Sequence, residues 1–318
     1  WIRNRFFDLG IFCSKQFDVP VICVGNLETG GTGKSPLVNY IVELLLNDGR
    51  NVAVLSRGYG RSTKGFRLVD KASSASEVGD EPLQLKRRLP KAAVAVCENR
   101  VVGIENILES DIKPDVIVMD DGFQHRWVKP SLSILVTPSI QPFWRNYLLP
   151  VGTLREVQTE SKRADILVVS GSNEMQGVDP DFQGETFQSH TVLGELVQFS
   201  GEKMNNSEIQ DVVIFSGIAN EQRFTESAAQ NHNVLEHLKF ADHHSYTLED
   251  LTLLRKLDSF GAAVNAVITT EKDAARLANS PILNELKDVR MFYLPIGTDF
   301  GELTSEFNKR ILDHGKHA

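Results

Sequence analysis

Residues 20–49 read PVICVGNLETGGTGKSPLVNYIVELLLNDG: an apolar run of strand length, a glycine-rich turn and an apolar-periodic helix. In that order the strand must lie inside a sheet and the helix must return over its face, which commits the surrounding chain to an open α/β architecture. The turn ends in Gly33-Lys34-Ser35, so backbone N–H groups and the helix N-terminus converge where a phosphate would sit. Thr29, Gly30, Gly31, Thr32, Gly33, Lys34 and Ser35 are therefore expected to bind a nucleotide, with Lys34 at the β/γ oxygens and Ser35 on Mg²⁺. One departure stands out. The pattern G-x-x-x-x-G-K-[ST] has glycine where this sequence has Glu28, and residues 29–35 instead resemble the deviant G-G-x-G-K-[ST] form.

Further apolar runs, at 51–56, 93–97, 115–120, 132–136 and 165–170, alternate with helix-length segments. They are apolar throughout, as strands buried on both faces of a parallel sheet must be. The polar, turn-rich stretch from about Gly171 reads as a linker, followed at 189–204 by one or two extended strands. A second βα alternation then runs from DVVIFSGI (211–218), through helices expected near 220–231 and 248–260, to VRMFYLPI. The expected division is 1–172 for a nucleotide-binding domain and 173–318 for the linker and a smaller α/β domain.

A formal charge of -8 over 318 residues argues against non-specific nucleic-acid binding, so an anionic ligand must be held by local charges. Cys13, Cys23 and Cys97 are too far apart for a Cys-x-x-Cys site and read as thiols in a reducing compartment. No run of 18 apolar residues occurs. The chain opens on Trp1 rather than methionine, which suggests that a natural N-terminus precedes it. The opening WIRNRFFDLGIFCSKQF mixes cations with aromatics, and Ile2, Phe6, Leu9 and Cys13 fall near one helical face. Such a segment suits either a membrane interface or packing on its own domain.

A phosphate loop calls for a carboxylate at the end of a neighbouring strand to hold magnesium. DVIVMDDGFQH supplies Asp120 and Asp121 there. Arg57, in SRGYG, follows the strand at 51–56, and its glycines allow close approach to a ligand. Asp80 and Glu81, in GDEP, are either helix caps before Pro82 or catalytic groups. Arg155 and Glu156, in GTLRE, are a phosphate clamp or a surface ion pair. FADHHSYT places two histidines beside Asp242, better suited to acid-base work than to zinc. QPFWRNYLLP (141–150) is either core or a surface for apolar ligand chains.

In order, VGNLETGGTGKSP, SRGYG, GDEP, DDGFQHR, LLPVGTLRE, DHHSYT and TEKDAARL resemble the motifs of the tetraacyldisaccharide 4'-kinases, the lipid A 4'-kinases of Gram-negative bacteria. The resemblance spans about residues 20–277. It implies two Rossmann-like α/β/α domains joined by a β-ribbon, with the active site between them. The implied reaction moves the ATP γ-phosphate, with Mg²⁺, to the 4'-hydroxyl of a tetraacylated glucosamine disaccharide 1-phosphate. By the same resemblance Asp80 is the base, His243 (or His244) its partner, and Lys34, Asp120 and Asp121 complete the catalytic set. Ser35, Asp120 and Asp121 surround the metal, while Arg57, together with Arg100, His125, Arg155 and Glu156, handles nucleotide or acceptor. The N-terminal segment becomes a tie to the cytoplasmic face of the inner membrane, with the lipid A precursor as partner and no obligate protein partner. Two rivals share the phosphate loop: an ATP-dependent ligase or GTPase-like metallochaperone, and an ATP-switched membrane scaffold.

Overall fold

In a computed structural model of the chain, residues 2–171, 179, 181–218, 221–242, 244, 246, 247, 249, 250, 266–277, 283, 286 and 289–314 are described. The chain forms two compact units: Trp1–Lys71, Ser76–Val192 and Gly297–Ala318, and, separately, Ala72–Ala75 with Leu193–Ile296.

The first unit is built on β1 (Val21–Gly25), β2 (Val52–Ser56), β3 (Arg67–Leu68), β4 (Ala93–Val96), β5 (Val116–Asp120), β6 (Leu132–Pro138), β7 (Ile166–Ser170) and β8 (Glu185–Leu193). The second contains β9 (Leu196–Gln198), β10 (Lys203–Met204), β11 (Asp211–Ser216), β12 (Asn233–Lys239), β13 (Ala266–Thr270) and β14 (Met291–Leu294), and β15 (Ile296–Asp299) follows. Nine strands form one sheet in the order β15-β8-β7-β6-β1-β5-β2-β4-β3, and six form another, β10-β9-β14-β13-β11-β12. β1 lies between β5 and β6 and is parallel to both, pairing Val24 with Asp120 and with Ile134. That register brings the loop after β1 and the acids after β5 to one edge. Every residue of β1, β2 and β5 is buried, as their unbroken apolar runs require.

Two apolar clusters hold this edge in place. Cys23, Leu55, Ile104, Ile107, Ile117 and Met119 pack the helix Arg100–Glu109 on one side. Leu27, Phe123, Leu135, Phe143, Leu154 and Leu167 form the other.

The expected division at 172/173 does not coincide with the division between the compact units. After the turn-rich stretch the chain returns as β8, parallel to β7, and stays with the first sheet. The extended segment at 189–204 is thus split, its first part in one sheet and its second in the other. β15 comes back beside β8, and the helix Thr304–His314 closes on the first unit, Phe307 stacking on Phe300 at 3.9 Å. The helix expected near 248–260 lies largely outside the described residues. At the N-terminus the helix is short, Ile2–Asp8, so Leu9 and Cys13 are not on it. Asn4 and Phe7 face inward, and Ile2, Leu9 and Ile11 are exposed. Cys23 and Cys97 are buried as expected, while Cys13 is exposed.

The helix Arg100–Glu109 starts where Asn99 Oδ1 accepts from the N–H groups of Val101 (3.1 Å) and Val102 (3.3 Å). Asn99→Ala leaves those donors without their cap and is expected to cost about 1 kcal/mol. Urea denaturation followed by far-UV circular dichroism will show an earlier midpoint for the unit that contains it.

Candidate functional site

The loop after β1 is shaped by its glycines. Gly30 and Gly33 have φ of 100° and 93°, open only to residues that tolerate the left-handed region, and a Cβ on Gly33 would strike Ser170 Oγ. Gly33 caps the helix Lys34–Asn47 without any side-chain hydrogen bond, so the first-turn N–H groups are left for an anion. A Cβ on Gly30 or Gly31 meets nothing within 4 Å, so the tip of the loop is open on the ligand side.

The loop is fastened to a second segment as if by a short ladder. Arg155 N donates to Leu27 O (2.7 Å), Thr29 N donates to Thr153 O (2.9 Å), and Glu28 bridges Leu154 in antiparallel fashion. This ladder delivers the Arg155 guanidinium to Asp121: Nη1 donates to Oδ2 at 3.2 Å and Nη2 to Oδ1 at 3.0 Å. Arg155 also donates to the Asn26 carbonyl (3.2 Å) and side-chain oxygen, while Asn26 Nδ2 donates to Thr32 Oγ1 at 2.9 Å. Asn26 is thus a positioning residue that motif reading passed over. Its place directly after β1, at the first polar residue of the loop, was the available signal.

Asp120 and Asp121 are neighbours in opposite environments. Burial alone would raise the Asp121 carboxyl, but Lys34, whose Nζ lies 3.5 Å away, and Arg155 hold it down at about 2. Asp120 is pushed up to about 7 by burial and by the charges of Glu81 and Asp121, against Lys34 and Arg100. Asp121 is paired with two cations, whereas burial and the neighbouring acids favour the protonated form of Asp120. A carboxylate, the Ser35 hydroxyl and nucleotide oxygens are the hard-oxygen set that Mg²⁺ takes, so the donors present fit that ion.

Other expected residues fall at the same edge in differing roles. Arg57 is exposed beyond β2, and its charge reaches both Arg100 and His125. Arg100 is buried and turned inward: it donates to the carbonyls of Cys97 (2.6 Å) and Asp120 (3.3 Å), bracing the end of β5. Glu156 is likewise taken up in structure, accepting from Asn4 Nδ2 (2.9 Å) and Arg163 Nη2 (2.8 Å).

A helix runs over Asp80–Arg88, beginning two residues before Pro82, with Gly79 as its cap. Asp80 is therefore the first helical residue rather than a cap. Its loop sits tight on SRGYG: a Cβ on Gly79 would lie 3.0 Å from Tyr59 O, and one on Gly58 2.9 Å from Val78 O. Those two glycines let the loops nest, which brings the first turn of Asp80–Arg88 within electrostatic range of Asp120. His243 lies outside the described residues. His244 Nε2 donates to Asp250 Oδ2 at 2.9 Å.

Two expectations follow from this geometry. Gly33→Ala forces strain of about 1–3 kcal/mol into the loop, so the Kd for ATP, read by calorimetry, should rise about tenfold or more while the circular dichroism spectrum stays the same. His125 is lowered to about 4, by burial first and then by Arg100, Arg57 and Arg3. With an unfolded value near 6.5, the unfolded chain takes up the extra proton first, so this histidine erodes stability as pH falls from about 6.5 to 4 and no further below. His125→Gln should lose less thermal stability than the parent between pH 7 and pH 5, by scanning calorimetry.

Comparison with known proteins bears on this site. The family model described as tetraacyldisaccharide-1-P 4'-kinase matches residues 1–316. The tetraacyldisaccharide 4'-kinase of Phocaeicola vulgatus is 36% identical over 333 residues, covering 99% of this chain and 91% of its own length. That of Flavobacterium johnsoniae is 37% identical over 327 residues, covering 99% and 93%. Among solved structures, LpxK from Aquifex aeolicus in complex with ATP superposes with a TM-score of 0.81 at 30% identity, over 98% of this chain and 94% of that one.

Proposed function

We infer the reaction from one premise: the chain belongs to the tetraacyldisaccharide-1-P 4'-kinase family. It is an ATP-dependent kinase that phosphorylates the 4'-hydroxyl of a tetraacyldisaccharide 1-phosphate, an acceptor on the way to lipid A. The observation that carries this reading is the convergence, on one sheet edge, of a helix N-terminus, Lys34, Arg155 and two adjacent acids, the buried Asp120 and the ion-paired Asp121.

Phosphoryl transfer passes through a loose transition state, so holding the phosphates in line and spreading their charge matters more than a strong base. The amides of residues 30–35 bind the β- and γ-phosphates, and Lys34 exchanges Asp121 for γ-phosphate oxygens. Arg155, fixed by Asn26 and Asp121, offers its remaining donors to the same group. Ser35 and Asp120 would hold Mg²⁺, which when bound would supply neutralisation of the phosphate charge. Asp121, beside Asp120, orients Lys34 and Arg155. Asp80, the first residue of its helix, receives the acceptor proton. Arg57 and His125 border the acceptor side. Arg100 and Glu156 act through what they brace.

The exposed Ile2, Leu9 and Ile11, beside Arg3 and Arg5, fit attachment of this segment to the cytoplasmic surface of the inner membrane. Among the described residues no helix is long and apolar enough to cross a bilayer.

Radiolabelled γ-phosphate should pass from ATP to the tetraacylated disaccharide 1-phosphate with the parent chain and not with Lys34→Ala. Asp80→Ala should keep ATP affinity but lower kcat by roughly 10² to 10⁴. ATP hydrolysis that continues equally without acceptor, and yields no labelled lipid, would point to a switch rather than a kinase.

A further inference from the structure

We propose that Glu28 is a positioning residue that couples ATP binding to a proton, holding the phosphate loop on Thr137 as a neutral carboxylic acid once the nucleotide is seated. This rests on the nucleotide-binding part of the kinase reading and deepens it.

Glu28 stands where the usual phosphate loop has glycine, directly before the residues whose amides take the phosphates. Its carboxyl is not turned out to water. The residue is 2% exposed and its bonding is one-sided: Oε1 accepts from Thr137 Oγ1 at 2.6 Å, while Oε2 is buried and, among the described residues, has no hydrogen-bond partner. An ionised carboxylate spreads its charge over both oxygens, so the charged form leaves half of that charge buried beside no donor. The neutral form leaves only a hydroxyl group there, which costs less. Burial accordingly pushes the carboxyl up to about 7.

Two cations oppose this. Lys34, at the start of the helix that follows the loop, and Arg155, on the segment bridged to it, both favour the charged form of Glu28. Each is also paired with Asp121 at the end of β5, Lys34 at 3.5 Å and Arg155 at 3.0 Å. β6 and the segment after it bring Thr137 Oγ1 and Phe143 N, neither of them charged, and Phe143 N donates to Thr137 rather than to Glu28.

ATP tips the balance. Its γ-phosphate draws on the same Lys34 and Arg155 and sets its own negative charge against the loop, so the support for a charged Glu28 falls and its carboxyl rises further. A proton bound more tightly in the complex than in the free protein is taken up with the ligand. Below the free value of about 7 that proton is already in place. Above it, each ATP bound must bring one in, so affinity falls as pH rises through 7 towards the value in the complex. The Thr137 hydroxyl donates to Oε1 in either form. The proton therefore removes repulsion and leaves the grip intact.

The test is calorimetric titration with ATP and Mg²⁺, without acceptor, at pH 8 in two buffers of different ionisation heat, which counts the protons taken up. The parent is expected to take up a fraction of a proton more than Glu28→Gln, the isostere of the neutral acid. From pH 7 to 9 the parent's Kd should rise up to about tenfold relative to that of Glu28→Gln. Thr137→Val removes the donor that helps the charged form, so it should move this rise to higher pH, a displacement that a merely structural loss would not produce. If scanning calorimetry shows Glu28→Gln to be unstable, Glu28→Leu offers a chain of similar size with no proton to bind, and the same difference from the parent is expected. Equal proton uptake by parent and variant, or Kd curves that run parallel from pH 7 to 9, overturns the proposal. A Thr137→Val curve displaced to lower pH overturns it too. None of these readings needs phosphate transfer, so a parent chain that binds ATP with this proton and yields no labelled lipid overturns the kinase reading alone.

Discussion

Arg155 is the residue through which the edge of the first sheet becomes a site. Its backbone N–H joins the ladder to Leu27, and its side chain reaches Asp121 with two hydrogen bonds and Asn26 with others. The phosphate loop, the end of β5 and the segment 143–155 come from three separate parts of the chain, and this one side chain touches or carries all three. A bidentate guanidinium–carboxylate pair is directional as well as attractive, which suits a site where position matters more than binding strength. Lysine could supply the charge at 155 but not the fork.

The parallel strands were legible because full burial on both faces demands unbroken apolar runs, and all six of those expected in the first half form within a residue or two of their apolar runs. The phosphate loop and the acid pair were legible for the same reason: each is a break from apolar to polar or glycine at the end of such a strand. What failed to show is what depends on tertiary packing. Nothing near Glu156 announces that Asn4 and Arg163 claim its carboxylate, and nothing near Arg100 marks it for burial against two carbonyls. The turn-rich composition after Gly171 looked like a boundary, yet composition reports solvent exposure, and β8 beyond it still belongs to the first sheet.

The adjacent acids illustrate how context splits identical side chains. Asp121 has a positive φ of 48°, which swings its carboxylate away from the line of β5 and toward Lys34 and Arg155. Asp120, still within the strand, remains buried with Glu81 and Asp121 nearby. Two carboxylates this close cannot share one environment cheaply. The fold meets the constraint by giving one of them two close cations and burying the other, where its neutral form is favoured.

Glu28 completes that electrostatic pattern from below. A carboxylate at the first position of a phosphate loop would repel the ligand if it were charged and free. Here it is buried, accepts a 2.6 Å hydrogen bond from Thr137 Oγ1, and is pushed up to about 7, chiefly by burial. Thr137 Oγ1 in turn accepts from Phe143 N at 2.9 Å, at the start of the segment 143–155. The Glu28 side chain thus links the phosphate loop, through Thr137, to the segment that carries Arg155, and burial favours its neutral form. The departure from the usual glycine is a second fastening of the same joint that Arg155 closes from above.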